Sequence, residues 1–447
     1  MQDPSVAGRV LMGDSLGFHI IFALFGVGIP LLLLIGEFVA VKTNNERLMT
    51  SVKSWSRIAA ILVVAGVISG TIIGFQFALL WPNFTKFLSP IIGEMLSLEG
   101  YAFLLEAIFL SFYIFSWDRI KGFKHWWLGV PVFIGGTGSA IFITTVNAWM
   151  NVPRGFDLKD GKVINIDRWA AIFNPAAFHE VWHSIFAYYL ATALTFAGVY
   201  AWILFKKRGS ATDRKYYNYL VQRLAILSVV LVIIVMALGD YSAKTLATTE
   251  PRKLAGIELR TNTTAQAPLY IGGSLNQKTG KVEGGIEVPY ALSILAGNSP
   301  STVVQGLNDF QKDQWPPLVI HTIFDIKIGL SMLLLIIPVG ILALYWWAWR
   351  KKTEIIRWSL PLLAISGPIA IAVIELGWVM TELGRQPFAI VGYMTTKQAF
   401  TTSHSALQIG FIFPVLYGAL FIVTGIALAI YARKYRSADI TKKVKTL

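Results

Sequence analysis

Residues 369–388 read IAIAVIELGWVMTELGRQPF, an apolar helix that carries one carboxylate, Glu375, well inside it. The helix is predicted to end in a polar turn at residues 384–387. A charged group at membrane depth costs about 3 kcal/mol on insertion scales, and more in simulations. Glu375 therefore needs a cation, a metal ion or a water-filled cavity beside it, and the stretch predicts a functional site within a membrane helix.

The composition of the rest of the chain is that of a polytopic membrane protein. Of the 447 residues 55% are apolar, and the mean hydropathy is +0.59. The apolar residues come in runs of about 20, the length that spans a bilayer as a helix. The net charge of +14 comes from basic residues at the ends of these runs, which favours positive-inside loops over nucleic-acid binding. The lack of cysteine excludes disulfides, cysteine-ligated iron–sulfur clusters and thiolate haem ligands.

Nine apolar segments predict an all-α fold of about nine transmembrane helices. The segments begin near Gly17, Ala59, Glu99, Trp126, Val181, Leu220, Leu318, Ser359 and Ala406. Their connections alternate between short basic stretches and longer stretches of mixed charge. The basic set lies at residues 42–57, 119–124, 206–215 and 350–357 and in a C-terminal tail with Lys442, Lys443 and Lys445. The positive-inside rule then places the N-terminus outside and the C-terminus in the cytoplasm.

One connection, from about Asp240 to Trp315, is polar, external and far longer than a turn. Loops of that length are usually functional. It contains EPRKLAGIEL at residues 250–259 and ends with the apolar stretch VPYALSILAG at 288–297, a candidate for the membrane surface. The predicted division is therefore residues 1–239 with six helices, the external loop at 240–316, and residues 317–447 with three helices.

The ionisable groups inside the apolar segments are predicted to fall in one layer near the outer face, under this loop. Depth along each helix is counted at about 1.5 Å per residue. The layer contains His19, Glu99, Glu106, His183, Asp325, Lys327 and Glu375. Several carboxylates at one depth mark an ion or cofactor path more often than a structural role. Three other histidines, His125, His321 and His404, are interpreted as hydrogen-bonding residues near helix ends.

Histidines that project from different helices suit haem iron, whose propionates are held by arginine. Arg385, in the turn after Glu375, is placed for a propionate. The residues alone thus indicate a multi-helix membrane protein that carries out redox chemistry or moves ions. A haem-free ion or solute transporter stays open as an alternative. Broken helices or paired repeats would favour it, and the sequence shows neither.

Ten motifs follow one another along nearly the whole chain: GFHIIFALFGVGIP (17–30), QFALLWPNF (76–84), LEGYAFLLEAIFL (98–110), FSWDR (115–119), VNAWMNVPRGF (146–156), FNPAAFHEVWH (173–183), PRKLAGIE (251–258), VPYALSILA (288–296), IELGW (374–378) and GRQPF (384–388). In this order they resemble subunit I of the cytochrome bd quinol oxidases. The resemblance implies nine helices, an external quinol-binding loop and a multi-pass location in a prokaryotic plasma membrane. The loop is short, as in the Gram-positive members.

The resemblance also implies haem ligands. His183 matches the ligand of the low-spin haem b. His19 and Glu375 match the axial ligands of the high-spin pair, a second haem b with either haem d or a third haem b, and which residue holds which haem stays open. Trp378 and Arg385 match further cofactor-binding positions.

Other matched positions concern protons and quinol. Glu99 and Glu106 match acids beside the high-spin pair that are implicated in proton delivery and the haem environment. Lys253 and Glu258 match the loop pair associated with quinol oxidation. A carboxylate suits that role because two protons must leave the quinol with its two electrons. Asp118 and Ser139 match positions on a cytoplasmic proton path.

Lys327 departs from the family pattern, which has a methionine as the second ligand of the low-spin haem. Aligning FDIKIG (324–329) with that pattern puts Lys327 at the methionine position. Three outcomes stay open: neutral Lys327 ligates the iron, Met332 replaces it through a local shift, or the haem is five-coordinate. Loss of the thioether is expected to change the haem potential, because axial ligands set it.

The resemblance thus implies an electrogenic quinol:oxygen oxidoreductase. Quinol is oxidised near the external loop, electrons pass through the low-spin haem to the high-spin pair, and oxygen is reduced to water with cytoplasmic protons. A related membrane subunit II is expected as partner, with a small single-helix subunit as a further candidate and no nucleic acid. The alternative within the family is a homologue with b-type haems only or with an altered donor or acceptor.

Overall fold

The computed structural model describes residues 4–437, so Lys442, Lys443 and Lys445 of the predicted basic tail lie outside the described residues. The helices are α1 (Pro4–Lys42), α2 (Glu46–Leu80), α3 (Pro82–Phe115), α4 (Phe123–Asn151), α5 (Arg168–Ile172), α6 (Ala177–Phe205), α7 (Ala211–Thr249), α8 (Pro251–Ile257), α9 (Ala291–Gly297), α10 (Val319–Lys351), α11 (Leu360–Arg385), α12 (Thr396–Ala399), α13 (His404–Gly410) and α14 (Ile412–Ser437). Single 3₁₀ turns lie at Leu307–Asp309, Lys312–Gln314 and Arg357–Ser359.

Eight short strands form four antiparallel ribbons in the connections. The pairs are β1 (Asp157–Lys159) with β2 (Lys162–Ile164), β3 (Leu269–Ile271) with β6 (Ile286–Val288), β4 (Ser274–Asn276) with β5 (Lys281–Glu283), and β7 (Phe388–Ile390) with β8 (Met394–Thr395). Within the described residues, nine helices are long and apolar enough to cross a membrane: α1, α2, α3, α4, α6, α7, α10, α11 and α14. The predicted all-α polytopic fold and its helix number are confirmed.

Several helices extend beyond the apolar segments that predict them. α2 begins at Glu46 rather than near Ala59, because the Asn45 side chain accepts a hydrogen bond from the Leu48 N–H at 3.0 Å. α3 begins at Pro82, a position where the missing proline N–H costs nothing. Glu99 therefore lies near the middle of this 34-residue helix rather than at its start.

The described chain forms two compact units that alternate along the sequence. The first contains the described residues of 4–85, 100–137 and 400–437, and in it α1, α2 and α14 pack on one another. The Tyr417 hydroxyl donates to the Ser69 carbonyl at 2.8 Å and so joins α14 to α2. His125 Nδ1 lies 2.7 Å from the buried Glu37 carboxylate, which agrees with the hydrogen-bonding role expected for this histidine.

The second unit contains Lys86–Glu99 and Gly138–Ala399, and its centre is a bundle of α6, α7, α10 and α11. A Cβ on Gly198 would lie 2.9 Å from the Leu363 carbonyl oxygen, and one on Gly367 would lie 2.8 Å from Thr195 Cα. These glycines let the backbones of α6 and α11 approach closely, as small residues do between membrane helices. The three-part division at residues 239 and 316 stays a prediction about function.

The long connection is folded. α7 continues past the predicted loop start at Asp240 and ends at Thr249, and α8 follows at once. α8 and the chain that follows it build a small core from Leu254, Ala267, Leu292, Ala296 and Val304. Within VPYALSILAG, α9 buries Leu292 and Ala296 and packs against α7. The connection is therefore folded and is part of the second unit.

Candidate functional site

α8 places a buried ion pair at the end of α7. Glu250 ends α7, and Pro251 opens α8 at a position that favours proline. Lys253, in the first turn of α8, donates from Nζ to Glu250 Oε2 at 2.9 Å. Both side chains are only 5% exposed, and Lys253 Nζ also lies 3.5 Å from Asn151 Oδ1. Because buried charges persist when they are paired, Lys253 has in Glu250 a partner that the sequence analysis did not identify.

Arg252 ties α8 to the end of α11. Its guanidinium donates to the carbonyl oxygens of Gln314, Gln386 and Arg385, the last at 3.1 Å. The same group lies 5.1 Å from the centre of the Phe388 ring. Burial lowers the pKa of Arg252 to about 10, which leaves it protonated near neutral pH. Arg252 is therefore a charged residue whose hydrogen bonds hold α8 against the polar end of α11.

A cavity of about 350 Å³ lies beside these residues. Its lining combines basic, acidic and aromatic side chains: Arg252, Lys253, Arg385, Glu250, Phe310 and Phe388. The volume is in the range of small-molecule sites, which are mostly apolar with a few convergent polar groups. The cavity thus fits a flat aromatic headgroup that needs both apolar walls and hydrogen-bonding partners.

Arg385 offers unused donors at this cavity. The residue is 3% exposed, and its Nη2 donates to Glu382. Its Nε and Nη1 are buried without a hydrogen-bond partner. Glu382 also accepts from Asn147 Nδ2 at 2.8 Å, which holds the acceptor in place. Two unpaired donors on a buried guanidinium match an anionic oxygen ligand such as the propionate that the sequence predicts.

Glu258 lies in different surroundings from Lys253. It caps the C-terminal end of α8, is 1% exposed, and its Oε1 has no hydrogen-bond partner. Burial, together with the negative charge of Asp325, raises the pKa of Glu258 to about 8. Glu258 is not among the residues that line the cavity. The two residues of the predicted quinol pair therefore lie on different sides of the same short helix.

His321 connects α10 to the folded connection. Its Nδ1 lies 2.7 Å from the Ile257 carbonyl oxygen and its Nε2 lies 3.0 Å from that of Gly272. Asp325 Oδ2 lies 3.3 Å from the same Nε2 and accepts the Gly272 N–H at 2.6 Å. These contacts agree with the hydrogen-bonding role expected for His321. The side chain of His404 lies outside the described part of the chain.

His183, Lys327 and Glu375 come from α6, α10 and α11 of the second unit. His183 Nδ1 and Glu375 Oε1 are buried without a hydrogen-bond partner. A Cβ on Gly239 would lie 3.5 Å from His183 Cε1, and one on Gly377 would lie 3.4 Å from Lys327 Cε. Lys327 interacts electrostatically with His183 and has no ion pair within residues 4–437. Gly239 beside His183 and Gly377 beside Lys327 leave space near these side chains, which suits a bulky cofactor such as haem.

His19 is oriented by a serine on α2 of the first unit. Its Nδ1 lies 2.8 Å from Ser69 Oγ, and that hydroxyl donates to the Gly66 carbonyl at 3.0 Å. Because Ser69 has one proton to give, it accepts from the Nδ1–H of His19, and the lone pair stays on Nε2. A Cβ on Gly70 would lie 3.3 Å from His19 Cε1, so a larger residue would crowd the ring. This arrangement, with one nitrogen held and the other free, is typical of iron and zinc ligands.

Glu106 has a pocket of glycines in the first unit. A Cβ on Gly136 would lie 3.3 Å from its Oε2, one on Gly26 would lie 3.7 Å from its Oε1, and one on Gly135 would lie 2.7 Å from its backbone nitrogen. Glu106 is 1% exposed and its Oε1 has no hydrogen-bond partner. A buried carboxyl group of this kind can hold a proton.

The remaining predicted site residues occupy separate places. Glu99 lies half-buried within α3 and Trp378 half-buried within α11; Ser139 is buried in α4, and Asp118 is exposed just after α3. The predicted single layer of ionisable groups draws on both compact units and stays a prediction. His19 in the first unit and His183 in the second each keep a ring nitrogen of the kind that binds haem iron.

Residues 179–183 read HEVWH, the HExxH pattern of zinc peptidases, a motif that the preference for haem over a hydrolytic metal site overlooked. In such a zinc site both histidines bind one metal ion. Here His179 Nδ1 lies 3.1 Å from Ser242 Oγ, whereas His183 interacts with Lys327. Within the described residues, the group whose ligand atoms lie close enough to share an ion is His179, Glu180 and Glu250, without His183. The motif therefore does not form a peptidase centre.

Comparison with known proteins points to one family. The family model described as cytochrome bd terminal oxidase subunit I matches residues 7–436. A Bacillus subtilis protein named "Putative cytochrome bd menaquinol oxidase subunit I" is 35% identical over 97% of this chain and 98% of its own length. The Escherichia coli cytochrome bd-II ubiquinol oxidase subunit 1 is 26% identical over 88% of each chain.

The fold of the chain is also similar to that of a solved bd oxidase structure. A chain of the bd oxidase structure from Geobacillus thermodenitrificans superposes with a TM-score of 0.88 and is 37% identical in sequence. The similarity covers 97% of this chain and 99% of that one. The family model, the similar Bacillus subtilis protein and the shared fold lead to one conclusion: the chain belongs to the cytochrome bd terminal oxidase subunit I family.

Proposed function

We propose that this chain is the haem-binding subunit of a quinol:oxygen oxidoreductase in a prokaryotic plasma membrane. Two similar proteins are named as menaquinol and ubiquinol oxidase subunits, which supports a quinol as the electron donor. The observation that carries the proposal is the buried Lys253–Glu250 ion pair at the wall of the cavity under the folded connection. An apolar pocket with such a pair is suited to a quinol headgroup.

The quinol site uses residues from both sides of α8. Lys253 donates a hydrogen bond to a quinol oxygen, while Phe310 and Phe388 contact the ring. The carboxyl groups at the two ends of α8, Glu250 and Glu258, accept the protons that leave with the electrons. Arg252 keeps α8 in place through its three carbonyl contacts.

Haem binding is assigned to the ligand atoms that the fold leaves free. His183 and Lys327 hold a low-spin haem b, and His19 and Glu375 serve the high-spin pair, a second haem b with haem d or a third haem b. Trp378 lies on α11 one turn after Glu375, and Arg385 pairs with a propionate. When bound, haem supplies electron transfer and the reduction of oxygen to water.

Proton uptake is assigned to acids that are buried in the helices. Glu106 holds a proton on a carboxyl group with one free oxygen, and Glu99 lies two helical turns away along α3. Asp118 and Ser139 lie on the path that leads protons from the cytoplasm. With quinol protons released outside, this chemistry generates a membrane potential. The alternation of basic connections supports an external N-terminus and a cytoplasmic C-terminus.

The chain is subunit I of a complex that works with a second membrane subunit. We infer a heterodimer, with a small single-helix subunit as a further component. Membrane quinol and oxygen are the substrates, and the basic residues serve topology rather than nucleic-acid binding.

The decisive experiment is a reduced-minus-oxidised optical spectrum of the purified complex, with pyridine haemochrome analysis. We expect haem, with a red-shifted chlorin-type band if haem d is present and b-type bands alone if it is not. Steady-state quinol oxidation with oxygen uptake on the same sample tests the donor. An intact complex without haem would overturn the proposal and favour the transporter alternative.

A further inference from the structure

His179 is set up as a metal ligand outside the haem and quinol assignments. Its Nδ1 lies 3.1 Å from Ser242 Oγ, and that hydroxyl donates to the Leu238 carbonyl at 2.9 Å. The serine proton is therefore engaged, so Ser242 accepts from the Nδ1–H of His179 and the lone pair stays on Nε2. His179 is 2% exposed, and its Nε2 is buried without a hydrogen-bond partner. A hydrogen bond from the other ring nitrogen fixes the tautomer and orientation of a metal-binding histidine, and Ser242 accepts such a bond here.

Two carboxylates complete the cluster. Ligand atoms of His179, Glu180 and Glu250 all lie within 4.8 Å of one another. Glu180 Oε1 accepts from Asn151 Nδ2 at 3.0 Å, which holds that side chain in place. Glu250 is buried, and its Oε1 has no hydrogen-bond partner within residues 4–437. Small side-chain rotations bring three such atoms to about 2.1 Å from one ion.

We propose that His179, Glu180 and Glu250 form a binding site for a divalent transition-metal ion, with Zn²⁺ as the best match. One imidazole and two carboxylates are typical zinc ligands, with a fourth position for water. The nitrogen ligand disfavours Ca²⁺ and Mg²⁺, which prefer oxygen alone. Two negative charges and one neutral ring also balance a divalent cation.

Lys253 competes with the metal ion for Glu250. Its ammonium group lies 2.9 Å from Glu250 Oε2, so it neutralises that carboxylate when no metal is bound. A divalent cation at Glu250 repels the ammonium group and displaces it. The proposal therefore predicts that removal of the Lys253 charge strengthens metal binding. If the cavity bound an anion instead, removal of the same charge would weaken binding.

The test measures zinc in the purified complex, prepared with an affinity tag that contains no histidine. Zinc per complex is determined by mass spectrometry after equilibration at a series of buffered free Zn²⁺ concentrations. X-ray absorption at the zinc edge is expected to show nitrogen and oxygen ligands at about 2.0–2.1 Å and one imidazole. Failure to bind one zinc ion per complex at micromolar free Zn²⁺ would overturn the proposal.

Matched variants identify the site. His179→Gln and Glu250→Gln are each expected to weaken zinc binding by about 100-fold, and His179→Gln removes the imidazole signal. Lys253→Gln is expected to strengthen binding by about tenfold. Glu94→Gln serves as the control, since Glu94 is an exposed carboxylate paired with Arg168 at the surface. Each variant is compared only after it elutes as an intact complex.

Zinc binding that is equal in all four variants would assign the metal to another place and overturn the proposal. The same holds if Lys253→Gln weakens binding together with the other two. The measurement does not depend on quinol oxidation, so a chain that oxidised no quinol would leave the zinc result unaffected.

Discussion

Glu258 and Lys253 show how one short helix places two buried ionisable side chains in different surroundings. Five residues turn an α-helix by about 140° beyond a full turn, so the two side chains leave α8 in different directions. Lys253 meets Glu250 at the cavity, while Glu258 faces the surroundings of Asp325 and His321. The sequence places both residues in one motif, but their neighbours come from α7 on one side and α10 on the other.

The raised pKa of Glu258 predicts the pH dependence of quinol oxidation. A carboxyl group with a pKa of about 8 is mostly protonated at neutral pH and accepts a proton only after ionising. Turnover is therefore expected to rise as the pH increases through about 8. Asp325→Asn removes the neighbouring negative charge, lowers the pKa of Glu258, and is expected to move this rise to lower pH by roughly one unit.

The measurement is kcat/KM for quinol against pH, with oxygen uptake as readout. Glu258→Gln is expected to lose most turnover at every pH while the haem spectrum stays unchanged. A profile of Asp325→Asn that coincides with that of the unmodified protein would contradict the role given to Glu258.

Lys327 is the residue that the resemblance places at the position of the family's methionine ligand. Met332 does not replace it readily, because it lies five residues away on another face of α10 and is 41% exposed. We expect Lys327→Met to restore thioether ligation and raise the potential of the low-spin haem. The shift is on the order of 100 mV, a fraction of the about 0.8 V that axial ligands span.

Redox titration and near-infrared magnetic circular dichroism of the low-spin haem measure this effect. Met332→Leu is the matched control and is expected to leave both signals unchanged. If Met332→Leu alters the signals and Lys327→Met does not, the ligand assignment on α10 is reversed.

At the scale of elements, the approach of α8 to α11 depends on Gly384. A Cβ at this position would lie 2.7 Å from Lys253 Cγ and 3.0 Å from Ile320 Cδ1. Gly384→Ala therefore pushes Lys253 away from Glu250. Because overpacking costs about 1–3 kcal/mol, we expect KM for quinol to rise by about tenfold, with the haem spectrum retained.

Gly340→Ala is the control for this change. Gly340 lies on α10, and a Cβ there would meet no atom within 4 Å. Steady-state kinetics gives the KM for quinol of both variants. Gly384→Ala creates a clash at the proposed quinol cavity, whereas Gly340→Ala adds the same methyl group where it meets no atom. An equal KM in both would remove Lys253 from the quinol site.

The number of helices was predictable from the sequence, whereas the helix ends and the fold of the long connection were not. Nine apolar runs of sufficient length predict nine helices, since a membrane leaves the backbone little alternative. The helix ends were not predictable from hydropathy, because caps such as Asn45 and the proline at the start of α3 extend the helices into polar sequence. The fold of the long connection was also missed, because its small core combines single apolar residues that lie far apart in sequence.

At the scale of the whole molecule, the orientation in the membrane is open to a direct test. The chain contains no cysteine, so single cysteines can be introduced without background. Lys278 is exposed in the connection between β4 and β5, and Arg208 is exposed between α6 and α7. We expect Lys278→Cys to react with a membrane-impermeant maleimide in intact cells, and Arg208→Cys to react only after permeabilisation.

Mass-tag gel shifts report this labelling, and denatured samples of both variants give the maximum signal. Labelling of Arg208→Cys in intact cells, with Lys278→Cys protected, would reverse the assignment of the two membrane sides. It would also place the quinol cavity on the cytoplasmic side.

The sequence by itself determined the membrane class, the number of helices and the family. It also singled out His19, His183 and Glu375, because ionisable groups are conspicuous within apolar helices. Only the tertiary structure decided which atoms are free. Ser69 and Ser242 set the tautomers of His19 and His179, and Glu250 rather than Glu258 pairs with Lys253. Such partners depend on directions and distances between separate helices, and no local pattern of residues encodes them.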